Sequence, residues 1–411
     1  MKNLSCLALP GCVVAAAAST IAGWATPTAA QSSTTRQTTN APSAFLVAPS
    51  EGRAIGLETR WLAHSSPSPG ARATEVFACD GDSVFVADST CHITRIVADS
   101  GTAIWSTACG RMTDRVLDID RATFMARLPD GRTRELAPPA QLDEVLVTLD
   151  AGIVSFDAHT GHLAQTQRLE RIPSTRSLHH DKYLIFGARG GQLVWQQFAV
   201  GCMWKCNELG GSILAAPIRM GDSIAAASSS GEVLAVDPDT TRQVWRRRVA
   251  GGVTGRLATG DDALFAASAD QSIHAFEAST GKTRWRHLAA TPLACDLFCD
   301  GSRVYAQIPG SGLTALATHT ETLLETRVLW TAPVAGNAIA RAGNRVLVWD
   351  AASHTLTAVD AESGHVEGRA VIPDAVDLEV ADAVNCRLYL LGADGTLQLL
   401  QAADKQAVAA E

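Results

Sequence analysis

Charge is scarce in this chain of 411 residues: Asp, Glu, Lys and Arg make up 18%, against about 25% in an average globular protein. Aromatic residues account for only 5%, and three of them are tyrosine. The 42 acidic residues outnumber the 34 basic ones, leaving a net charge of −8. No surplus of positive charge is available to neutralise phosphates, which excludes a nucleic-acid binder. At 46% hydrophobic residues the chain is not one kept open by charge. The sequence also lacks Gly-x-Ser-x-Gly, His-Glu-x-x-His, Gly-x-x-x-x-Gly-Lys and Gly-x-Gly-x-x-Gly. The usual signatures of a nucleophile elbow, a zinc helix and phosphate loops are therefore missing. After residue 30 no stretch has eighteen uncharged apolar residues, so no later transmembrane helix is expected.

What is present begins with an export segment. Met1-Lys2 precedes an uncharged run from Leu4 to Gly23, and Thr28-Ala29-Ala30 supplies small residues before Gln31. Residues 1–30 read as a secretory signal cleaved near Ala30. Two rivals stay open: lipidation at Cys12 within Leu9-Pro10-Gly11-Cys12, which would attach the protein to a membrane, and an uncleaved anchor. Residues 31–50, rich in Ser, Thr, Pro and Gln, read as a flexible linker. Residues 51–401 read as one folded domain and 402–411 as a tail. Export implies an oxidising compartment, the periplasm.

From residue 51 onward the chain repeats itself with a period near 40 residues. Residues 91–105, CHITRIVADSGTAIW, match 231–245, GEVLAVDPDTTRQVW, and 271–285, QSIHAFEASTGKTRW. Each unit holds an alternating strand, a turn of Asp, Ser, Thr or Gly, and a strand carrying Trp. A further short strand precedes each unit, as in 82–87, 222–227 and 262–267. Period-two alternation with turns every eight to twelve residues marks short antiparallel strands.

Trp61, Trp105, Trp204, Trp245, Trp285 and Trp330 close six units, with Gln165 and Gly368 in the same place in two more. The steps are 44, 60, 39, 41, 40, 45 and 38 residues. Only the second is long, and residues 111–138 read there as an insertion or an irregular blade, leaving seven blades as the alternative count. The chain ends on three strands, 376–400, without a Trp-bearing fourth, and starts on a fourth strand, 56–64, without its first three. The two ends complete each other. The expected fold is all-β, an eight-bladed β-propeller of four-stranded antiparallel blades whose last blade is closed by the N-terminal strand. An open array would leave both ends incomplete.

The repeat Ala-x-Asp-x-x-Thr-Gly-x-x-x-Trp, as in 234–245 and 275–285, resembles the pyrroloquinoline-quinone-type propeller repeat and covers nearly all of residues 56–400. Two exported groups carry that repeat: quinoprotein dehydrogenases and the non-catalytic outer-membrane assembly factors of the BamB type. The dehydrogenases are similar to one another in using a disulfide of adjacent cysteines, a calcium and a catalytic Asp. This chain has no Cys-Cys pair and no Cys-x-x-Cys-His for covalent haem. The resemblance therefore implies a scaffold without cofactor or metal, docking protein partners of the outer-membrane barrel-assembly machinery. A small-ligand or quinone-binding propeller, as an oxidoreductase subunit, is the alternative.

In the assembly factors, partner contact lies near a Leu-Arg-Gly run and a later Asp-x-Asp-Thr-Thr-Pro run. The first maps to residues 209–217, keeping Leu209, Gly211 and Pro217 with Gly210 in the place of arginine. The second falls within Gly251 to Arg256 and holds no carboxylate. Leu209 and Gly211 are the partner-binding candidates, with blade packing as the competing role for Leu209. The six tryptophans are expected to pack between blades rather than to cage a ligand. His179-His180-Asp181 reads as a polar turn rather than a metal site, and no catalytic residue is assigned.

Eight cysteines follow the signal. Blade geometry sets the end of a fourth strand beside the start of the third, so Cys91 and Cys109 are the favoured disulfide pair. Cys79 and Cys386 occupy the first turn of the first and last blades, where a bond would staple the ring. Cys202, Cys206, Cys295 and Cys299 fall in blades three apart and cannot form one zinc site.

Overall fold

The computed structural model describes residues 45–126, 140–319 and 327–403. The export segment with Cys12, the linker up to residue 44 and the tail from residue 404 lie outside the described residues.

The described chain forms eight separate four-stranded antiparallel sheets. They are the blades of an eight-bladed β-propeller. In blade 1 the order is β2 (Ala73–Cys79), β3 (Ser83–Asp88), β4 (His92–Val97) and β5 (Ala103–Ala108). Blades 2 to 7 repeat that sequential order, from Val116–Ala126 to Val366–Val371. Blade 8 takes three strands from residues 375–402 and its outer strand from β1 (Leu57–His64). Leu57 pairs with Ala402 and His64 with Thr396, with a bulge between Thr59 and Trp61.

The region of uncertain blade count forms a regular blade. Val116–Ala126 and Ala140–Leu149 pair along ten registered positions as a long hairpin and carry blade 2 with two further strands. The extra length of that repeat is strand, together with residues 127–139, which lie outside the described residues.

Apolar residues on both faces of each blade are covered by its neighbours. Val84, Val86 and Ile96 of blade 1 share a core with Tyr389, Leu391, Leu397 and Leu399 of blade 8. Phe77, Phe85 and Ile93 face Ile119, Val145 and Val147 of blade 2. Central strands buried on two faces read as continuous apolar runs, such as Ala263–Ser268. This is why so few charges suffice. The turns joining first to second strands use left-handed residues, including Asp80-Gly81, Asp181 and Asp261-Asp262. Such a turn matches the strand twist when both central residues have positive φ.

One short helix, α1 (Pro49–Ala54), precedes β1. The side chain of Gln398 holds its approach, accepting from Val47 N–H and donating to Val47 O, both at 2.9 Å. A Cβ at Gly368 would run into the carbonyl of Ala54. Blade 7 lacks its tryptophan because this entering segment fills the space.

Candidate interaction site at the channel mouth

The repeat motif acts between blades. The indole N–H of Trp61 donates to Ala98 O at 3.0 Å, Trp105 to Ala158 O at 2.9 Å and Trp245 to Ala278 O at 2.7 Å. Trp285 and Trp330 reach Thr318 O and Ala361 O, each at 2.9 Å. Every acceptor belongs to the next blade. The glycine of that blade's turn lies under the ring: a Cβ on Gly161 would sit 2.7 Å from Trp105, and one on Gly364 2.6 Å from Trp330. Trp204 differs, stacking on Tyr183 at 4.8 Å. The corresponding bond comes from Trp195, on the third strand of blade 3, to Pro238 O at 3.0 Å. Sequence reasoning passed over Trp195 because it does not stand at the closing position of its repeat.

The first strands of the blades line a central channel. In four-stranded antiparallel blades, the crossings to the next blade lie at the same end as the turns between second and third strands. Residues 209–217 form one such crossing. Leu209 is buried at 4% exposure, packed with Tyr183, Ile213 and Ile224 in the core between blades 3 and 4. This is the blade-packing role, the alternative to a partner contact. Gly211 sits under the Ser229–Ser230 turn, where a Cβ would meet Ser230 N at 2.7 Å. Leu214, in the same crossing, is 49% exposed and borders the channel mouth beside Ala215 and Ala216.

Two adjacent hollows of 640 and 420 Å³ occupy the channel, and Arg176, Arg256 and Asp296 border both. Arg176, from blade 3, crosses over the Phe77 ring at 5.0 Å and pairs with Glu379 of blade 8 at 2.6 Å. Close by, Asp118 Oδ2 accepts the Ser177 backbone N–H at 2.7 Å, and the Ser177 hydroxyl lies 2.6 Å from Asp118 and 2.8 Å from Asp120. Burial pushes the Asp118, Asp377 and Glu379 carboxyls above their usual range, while Arg176 opposes the shift at all three. Asp120 is pushed higher, by burial and by the Asp118 charge beside it. The channel therefore has an acidic wall bridged by one guanidinium.

No group of three or more His, Cys, Asp or Glu residues among the described residues is arranged to hold a metal ion. His179 and His180 end the first strand of blade 3, where His179 Nε2 lies 2.9 Å from Asp181 O and His180 Nε2 2.7 Å from Asp239. Cys202 and Cys206 lie on the outer strand of blade 3, whereas Cys299 lies on the first strand of blade 6 with Cys295 just before it. Burial pushes the Cys295 and Cys299 thiols up to about 11.

Cys91 and Cys109 are brought together, with Sγ atoms 3.3 Å apart in the core between blades 1 and 2. Cys79 and Cys386 are not. Cys79 faces blade 2 beside Ile119 and Val147, and Cys386 faces blade 7 beside Leu347 and Leu356. The closing interface between blades 8 and 1 lies between them, so that expected staple is corrected: the two thiols point away from each other.

A family model described as outer membrane protein assembly factor BamB matches residues 180–341 and 229–394, together just over half of the chain. The outer membrane protein assembly factor BamB of Burkholderia pseudomallei is 25% identical over 250 residues, covering 50% of this chain and 63% of that protein. The match thus spans less than two thirds of that relative. Among solved structures, the computationally designed Ika8 protein aligns with a TM-score of 0.60 at 14% identity, over 82% of this chain and 98% of its own. BamB from Moraxella catarrhalis aligns at 19% identity with a TM-score of 0.46, over 80% and 83%. With its repeat, its eight blades and the matched family model, the chain belongs to the propeller family described as outer membrane protein assembly factor BamB.

Proposed function

We propose that this protein is a non-catalytic, exported scaffold that docks protein partners of the outer-membrane barrel-assembly machinery through the channel-mouth end of its propeller. The family supports the role, and the hollow lined by the crossing residues Leu214, Ala215, Ala216, Thr254 and Arg256 supports the end. Met112, Ile172 and Leu214 lie in three blade crossings, exposed at 73%, 56% and 49%, and Leu288 ends an outer strand there at 66%. Exposed apolar side chains there suit a protein partner, and Met125, Leu163 and Val384 are exposed at the opposite end as well, at 64%, 60% and 82%. Leu214 takes the contact role that the motif comparison gave to Leu209. Attachment to the outer membrane would follow from lipidation of Cys12.

Affinity capture from cross-linked cell envelopes tests the reading. The intact protein should recover barrel-assembly components and Leu214→Glu should recover them poorly while remaining folded. Their absence from the wild-type capture would sink the assembly role. The polar channel favours a second reading, a small-ligand propeller. An absorbance spectrum of protein purified from its own cells checks it, since a bound quinone is coloured.

A further inference from the structure

Blade 1 departs from the other blades at one cross-strand pair. In five other blades, the residue after the outer strand donates its backbone N–H to the residue before the third strand: Leu209 to Gly191, Val249 to Gly231, Ala289 to Gln271, Ile372 to His354 and Ser65 to Gly395. All five acceptors have positive φ, and three are glycine. Four of the donors are buried apolar residues. In blade 1 the same bond, 2.9 Å long, runs from Cys109 to Cys91. Cys91 keeps a φ of 61°, so a side chain stands in a conformation that glycine supplies in three of those blades. Both members of the pair have been replaced by cysteine, and their sulfurs meet.

We infer that Cys91 and Cys109 form a disulfide that pins β5 to β4. Residues directly opposite in an antiparallel pair hold their Cα atoms about 4.5–5.5 Å apart, within the span a disulfide bridges. Each of the two residues is only 3% exposed, so the bond is made while the core between blades 1 and 2 is still open. One cysteine thiolate attacks a low-molecular-weight disulfide donor, releasing one donor thiol. The second thiolate then attacks the mixed disulfide and releases the other. Two protein thiols and one donor disulfide thereby become one protein disulfide and two donor thiols.

The test uses the full chain, unfolded and refolded in glutathione buffers of rising oxidised fraction, then alkylated under denaturing conditions and mapped by mass spectrometry. The linked 91–109 peptide pair should appear first as the buffer is made more oxidising, and the thermal midpoint should rise by several degrees with it. The double variant Cys91→Gly with Cys109→Val copies the pair in blade 4. It should fold, and its midpoint should lose the part of the glutathione response that accompanies the 91–109 link. Alkylation of both residues after oxidising refolding would overturn the inference, and so would a glutathione response in the double variant undiminished from wild type. Neither readout depends on the partner or on export, so failure here is distinct from failure of the scaffold reading.

Discussion

The repeated letters of the motif describe one contact made again and again. The Asp binds its own turn: Asp237 Oδ1 accepts from Asp239 N and Thr240 N, each at 2.9 Å, and Asp360 does the same for Glu362 and Ser363. The glycine then lets the preceding blade's indole lie flat against the backbone. Gly281 has a φ of 67°, and a Cβ there would sit 2.5 Å from Trp245. Gly281→Ala should therefore cost about 2 kcal/mol or more, from left-handed backbone strain and the lost ring contact. The shift in the urea midpoint measures it, and a neutral result would show that the ring can slide. This contact was legible in the sequence because spacing alone relates Trp to the turn. Trp195 was not, since its bond departs from the repeat.

A strand contributed from the far end of the chain is the feature on which the ring depends. β1 covers the edge of Thr396–Ala402 through seven registered pairs, and α1 fills the gap left in blade 7. Deleting residues 45–64 should abolish a sharp unfolding transition and leave an exposed, aggregation-prone edge. Moving the same segment to follow residue 403 should restore the transition, because Leu57 already lies opposite Ala402. Calorimetry of the two proteins decides whether pairing or chain order matters. Blade number was readable because six tryptophans, with Gln165 and Gly368, kept a period. The long hairpin of blade 2 was not, since its strands extend past the turn positions that the other repeats use.

The channel belongs to no single blade, and for that reason the sequence concealed it. Asp118, Arg176 and Glu379 are single charges in separate strands, and nothing in their spacing announces that blades 2, 3 and 8 meet there. Their consequence is a pH dependence of the whole ring. The folded state raises the Asp120 carboxyl above its unfolded value, so folding favours the protonated form. Stability from this group is present at low pH and falls as pH rises through the raised value. Asp120→Asn should therefore gain stability over wild type progressively as pH rises from about 4, the ordinary Asp value, with little difference at the acid end. Thermal midpoints across that range check the sign, and a constant offset would place the charge elsewhere. The closing strand has a temporal meaning as well. Thr59 meets Gln398, 339 residues further along the chain, so seven blades can be complete while the eighth still waits for both ends to arrive. Loop closure over such a distance comes late and slowly, and until it happens the entering strand is the segment for which a folding helper would compete.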